Sequence, residues 1–192
     1  MLISATDEAT VATLLRSSIV ASHGRLVHHH LIADLGRGYG PISTFLSNLL
    51  IQMYSKTRRL EDACSVFDHM DALSRNVYTW TFMIGAYTHP GHSNSHIHEA
   101  LELYQNMIYQ GIRPDNVTYL SIIAACSNPT HLHIGIIIHQ TYLEMRQENA
   151  EWQPKTDGQH LKDSDEVLKN AFLHMYAKCG SLEYAKNMIF ED

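Results

Sequence analysis

Leu46, Leu49, Leu50, Met53 and Tyr54 recur at i, i+3, i+4, i+7 and i+8, a spacing that puts all five on one side of an α-helix. After a polar turn at Thr57 to Arg59, residues Leu60, Ala63, Val66, Phe67 and Met70 repeat at three- and four-residue steps. They predict a second helix, in which the small Ala63 lets a partner approach closely. Two helices joined by so short a turn fold back as an antiparallel hairpin. The same pattern returns with Trp80, Met83, Ile84 and Tyr87, then with Ile97, Ala100, Leu101, Tyr104, Met107 and Ile108. That second stripe stops at Gly111-Ile-Arg-Pro114, where Gly and then Pro end a helix for backbone reasons. No stretch alternates apolar and polar residues with comparable regularity, so the predicted class is all-α.

The hairpins are copies. SNLLIQMYSKTRRLEDACSVF from Ser47 aligns with KNAFLHMYAKCGSLEYAKNMIF from Lys169, matching Asn48 to Asn170, Met53 to Met175, Tyr54 to Tyr176, Lys56 to Lys178, Leu60 to Leu182, Glu61 to Glu183 and Ala63 to Ala185 at a single offset. TLLRSS followed by GRLVHHHLI from Gly24 matches SIIAAC followed by GIIIHQTYL from Gly135 more weakly. A lone hairpin cannot bury both of its apolar stripes, so consecutive hairpins must stack, and the predicted product is an α-solenoid with one concave face.

Composition narrows the function classes. The 192 residues are 45% hydrophobic and 18% charged, enough to build a core and too weakly charged for a disordered tail. No apolar run approaches the roughly 20 residues of a membrane-spanning helix. The net charge of −6 argues against indiscriminate polyanion binding, although a locally basic groove stays compatible with it. Cys64, Cys126 and Cys179 are odd in number and widely spaced, so they encode neither a disulfide framework nor a cysteine zinc site and suit a reducing compartment. The first twenty residues hold one basic residue, Arg16, and the acids Asp7 and Glu8, the signature of neither a secretory signal nor a transit peptide.

The spacing Asn-x-x-x-x-Met-Tyr-x-Lys-x-x-x-Leu-Glu-x-Ala at 48–63 and 170–185, the helix starts at Val77 and Val117, and EALELYQNMIYQGIRPD at 99–115 resemble pentatricopeptide repeats. The alternation of repeat types resembles the plant subclass that mixes long, short and standard motifs. The resemblance implies one array over 1–192, with repeats at about 8–43, 44–76, 77–115, 116–165 and 166–192, the last cut off inside its second helix. Tetratricopeptide repeats share the hairpin, but their W-x-x-L-G-x-x-Y signature is missing.

What the resemblance implies for function is sequence-specific binding of single-stranded RNA, not DNA, in mitochondria or chloroplasts, one repeat reading one base through two side chains. The family's reader positions fall on Asn48 with Asn76, on Thr81 with Asp115, and on Asn170, whose partner lies beyond Asp192. On the family's rule the repeat 44–76 takes cytosine, with uracil second, and 77–115 takes guanine, so the footprint contains C-G. A carboxylate such as Asp115 only accepts hydrogen bonds and suits N–H-bearing edges of guanine or uracil, whereas the amide of Asn76 can pair with amino-bearing bases. Second-position apolar residues, here Phe45, Tyr78, Val117 and Val167, would sandwich the bases. In the long repeats the reader positions carry Ala12 and Leu120, which cannot hydrogen-bond.

Structural roles compete for several of these residues. Asp115 after Pro114 is also a favourable N-cap for the next helix, and Phe45 and Tyr78 could belong to the core. The stretch from Met145 to Asp165 is longer than a normal repeat junction and reads as a polar surface loop, and HPGHSNSHIH from His89 reads as an insertion. The triplet His28-His29-His30 cannot converge on one ion, since consecutive helical side chains point in different directions, so no metal site is assigned either there or to His89, His92, His96 and His98. No deaminase, phosphate-loop, nucleophile-elbow or HExxH motif is present, so the sequence calls for no enzyme activity and no cofactor. Editing or processing chemistry would come from factors supplied in trans. Two functions fit: an RNA-binding module for organelle transcript editing or processing, and a helical-repeat scaffold holding a protein segment.

Overall fold

The computed structural model describes residues 8–17, 24–30, 42–89, 96–152 and 158–190. Among them are ten α-helices and no strand: α1 Glu8–Ser17, α2 24–30, α3 Thr44–Lys56, α4 Leu60–His69, α5 Val77–Tyr87, α6 Ile97–Tyr109, α7 Asn116–Ala125, α8 Leu132–Trp152, α9 Gly158–Lys178 and α10 Leu182–Phe190. The fold is of the all-α, tandem-hairpin kind that builds solenoids. The chain divides into two compact bodies, Met1–Pro114 and Asp115–Asp192.

In the first body α3 packs against α1, α4 and α5, and α5 also packs against α4 and α6. The first helices of successive repeats thus form one layer, and each second helix returns beside its own first helix. The apolar stripes meet at Leu50, Ile51, Tyr54, Trp80, Met83, Ile84 and Met107, all buried. Each such side chain withdrawn from water contributes about 1.5–3 kcal/mol. Phe67 of α4 meets Trp80 of α5 edge to face, with centroids 5.1 Å apart. In the second body α9 lies against α7, α8 and α10. Its core is Ile122, Ile138, Leu168, Phe172, Met175 and Tyr176, with the ring of Tyr142 between Tyr119 and Phe172.

Helix boundaries have local causes. The Ser43 hydroxyl caps α3 by accepting from Leu46 N at 3.2 Å. α3 ends when Arg59 N donates to Tyr54 O and Arg58 N to Ser55 O, a wrap that requires a left-handed residue between them. Arg58 supplies it at φ 57°. The ends of α6 and α9 use the same wrap with glycine, Gly111 at φ 73° and Gly180 at φ 74°.

The polar stretch 145–165 differs from the surface loop expected of it. α8 continues through Trp152 and α9 already starts at Gly158, so both ends of the stretch are helix. Met, Arg, Gln and Glu are good helix formers. The pair is also tied across its length, since Asp165 accepts from Tyr142 Oη at 3.0 Å and pairs with Arg146 at 2.9 Å. The tip, residues 153–157, lies outside the described residues, as do residues 90–95 of the histidine-rich insertion, with His92.

Candidate nucleic-acid interface

Asn48 sits one turn into α3 on the side that α5 covers, and is only 6% exposed. Buried amides must find partners, and Asn48 finds them in the N-terminus of α5. Asn76 is the N-cap of that helix, and its Oδ1 accepts from Thr79 N at 3.2 Å. Asn48 Nδ2 donates to the same Oδ1 at 3.2 Å, so the two reader positions of repeat 44–76 are hydrogen-bonded to each other. Thr79, fully buried, closes the ring: its hydroxyl donates to Asn48 Oδ1 at 2.7 Å and accepts from Asn76 N at 3.2 Å. Asn76 is an exposed residue at the start of α5.

Repeat 116–165 starts the same way. Asp115 is the N-cap of α7, and its Oδ1 accepts from both the backbone N and the hydroxyl of Thr118 at 2.7 Å. The capping role open to Asp115 in the sequence is therefore filled. Thr81, the other residue expected to read a base in 77–115, is 4% exposed within the first body, whereas Asp115 opens the second. Asn170 is exposed in the middle of α9. Ala12 is buried and Leu120 half-buried.

The second-position residues behave in the opposite way. Phe45 is 46% exposed, Tyr78 59%, Val117 57% and Val167 52%, so none of them is core. All four lie on first helices, three positions before the reader site. Exposed large apolar side chains recurring at one register are what a stacking row requires, and Phe45 and Tyr78 add aromatic faces. The Arg16 guanidinium lies 5.7 Å from the Phe45 ring centroid, placing a cation beside that face.

Thr79 and Thr118 are the residues that sequence reasoning missed. The signal was there in Asn76-Val-Tyr-Thr79 and Asp115-Asn-Val-Thr118, each an N-cap residue followed three positions later by a hydroxyl that bonds back to the cap's N–H. Among the described residues no cluster of three His, Cys, Asp or Glu side chains could hold a metal ion, and no helix is long and apolar enough to cross a membrane.

Family models for the PPR repeat match residues 45–73 and 75–128. Along nearly its whole length the chain is similar to named relatives of the same kind. It is 34% identical over 182 residues to a chloroplastic pentatricopeptide repeat-containing protein of Arabidopsis thaliana, an alignment covering 93% of this chain and 22% of that protein. The chain belongs to the pentatricopeptide repeat family. A mitochondrial pentatricopeptide repeat-containing protein of the same plant is 34% identical over 192 residues, covering 96% of this chain and 25% of the relative. A third, whose name gives no organelle, is 31% identical over 175 residues, covering 88% and 18%. The chain thus spans a quarter or less of the length of these pentatricopeptide repeat relatives. Pentatricopeptide repeat proteins are generally RNA-binding proteins of organelle RNA processing, a family of helical repeats and not of enzymes.

Proposed function

We propose that this chain is part of a sequence-specific single-stranded RNA-binding array of the subclass that mixes long, short and standard repeats, acting in a mitochondrion or chloroplast in transcript editing or processing. Each short or standard repeat takes one base, cytosine (then uracil) at 44–76 and guanine at 77–115. The observation that carries the reading is the exposure of apolar side chains at one register of the first helices, Phe45 and Tyr78 in the first body and Val117 and Val167 in the second. The bond between Asn48 and Asn76 supports it, since it joins the two positions that must act on one base. Asn170 has the same place in the last repeat. Catalysis is assigned to factors that join in trans.

The net charge of −6 favours the other reading, a scaffold for a protein segment. Titrating labelled single-stranded RNA containing C-G, beside a scrambled control, at two salt concentrations separates the two. RNA reading requires a preference for C-G that persists at higher salt, because base contacts release no counterions. Equal binding of both oligonucleotides, or none, leaves the scaffold. The paired substitution Thr81→Asn with Asp115→Asn must also change the preferred base at the second position of the C-G step.

A further inference from the structure

Thr79 is assigned to no base, yet it touches both readers of the preceding repeat. We infer that Thr79 is a positioning residue that sets which hydrogen-bonding group repeat 44–76 offers to RNA, an inference resting on the base-reading proposal above. The backbone N–H of Thr79 can only donate, so the Asn76 atom 3.2 Å away must be the oxygen. The Asn48 atom facing that oxygen must then be its nitrogen, which turns Asn48 Oδ1 to the Thr79 hydroxyl. A hydroxyl has one proton, and the 2.7 Å contact to Asn48 Oδ1 is the one that uses it, ahead of the 3.2 Å approach to Asn76 Oδ1.

Both amide oxygens are therefore engaged inside the protein, and the group left on the exposed end is the Asn76 NH2, a pure donor. The sequence allowed Asn76 to accept from amino-bearing bases, but the ring commits its oxygen elsewhere. A donor suits the base edge richest in acceptors. Cytosine offers O2 and N3, uracil O2 and O4, while the Watson–Crick edge of adenine offers N1 alone. The Thr79 N–H holds one lone pair of Asn76 Oδ1, and the Thr79 hydroxyl, by fixing the Asn48 amide, keeps the Asn48 NH2 on the other. Without the hydroxyl Asn48 can turn away, Asn76 Oδ1 regains a free acceptor site, and the preference for a pyrimidine weakens.

Thr118 supplies the control. It bonds to Asp115 as Thr79 does to Asn76, but a carboxylate has two acceptor oxygens and no donor to misplace. The test measures the ratio of affinities of the 192-residue chain for RNAs carrying cytosine or adenine at the 44–76 register. Wild type should prefer cytosine, Thr79→Val should lower the ratio about three- to tenfold, the effect of one hydrogen bond, and Thr79→Ser should restore it. Thr118→Val should lower thermal stability while leaving the ratio unchanged. A wild type that discriminates beside a Thr79→Val that discriminates equally overturns the positioning role and leaves base reading standing. A wild type without preference overturns both. Should Thr79→Val not fold, side-chain amide exchange by NMR in the wild type decides: slow at Asn48 and fast at Asn76 supports the assignment, and the reverse order, or equal rates, overturns it.

Discussion

The joint between α2 and α3 and the joint between α8 and α9 are two versions of one design. In each, a glycine on a second helix receives a methionine from the next first helix. A Cβ at Gly24 would collide with the end of Met53, and one at Gly135 would come within 2.6 Å of Met175 Sδ. One turn further on, a histidine meets a tyrosine hydroxyl, His28 with Tyr54 at 2.9 Å and His139 with Tyr176 at 3.0 Å. The copies differ in their turns. Arg58 holds the left-handed position that Gly180 holds in the second copy. Packing contacts have been kept in both, whereas turn chemistry has diverged.

The largest test of that likeness is to empty both methionine sites. Met53→Ala and Met175→Ala, each removing a buried side chain seated on a glycine, should destabilise by about 2–5 kcal/mol in urea unfolding. A cost below about 1 kcal/mol for one of them would end the equivalence.

The reader positions should separate next. Asn48→Ala strips a buried ring of its central amide and should cost about 1–3 kcal/mol. The exposed Asn170→Ala should fall within about 0.5 kcal/mol of wild type. Equal costs in thermal melts would mean that Asn48 is not held as described.

Converting one turn into the other comes third. Arg58→Gly removes the Cβ penalty of a left-handed residue and should stabilise by about 1 kcal/mol, with Gly180→Arg destabilising by a similar amount. A destabilised Arg58→Gly would show that the arginine side chain outweighs its backbone strain.

The smallest effect is a pH dependence. Burial holds the His28 imidazole below its ordinary pKa, outweighing the opposing pull of the Asp62 carboxylate, with the neighbouring His69 and His29 adding smaller downward pushes. The unfolded chain therefore takes up a proton near pH 6.5 that the folded chain still refuses. The stability due to neutral His28 is present above that pH and is lost as pH falls through the window down to the folded-state value. Melting temperatures measured from pH 7.5 to 5 should show this loss in wild type and less of it in His28→Gln.

Helix identity was legible because it is encoded locally. The stripes of α3 to α6 and the stop at Gly111 to Pro114 depend on periodicity and backbone preference, which a sequence displays directly. The stretch 145–165 misled because polarity marks exposure, not loop: two extended helices can be polar and still be tied together by Tyr142, Arg146 and Asp165. At the candidate interface, the register of Phe45, Tyr78, Val117 and Val167 was legible from the repeat, and so was the possibility that Asp115 caps a helix. Thr79 was not singled out, although its capping pattern was visible, because its bond to Asn48 joins residues 31 positions apart.

By itself the sequence determined the hairpins, their repetition and the family, since apolar spacing and turn residues act within a few positions of one another. Only the tertiary structure decided which polar residues lie inside. Asn48 is buried because α5 packs over that face of α3, while the apolar Phe45 of the same helix stays 46% exposed. Burial is set by what packs on a residue, and that neighbour is not written in the motif itself.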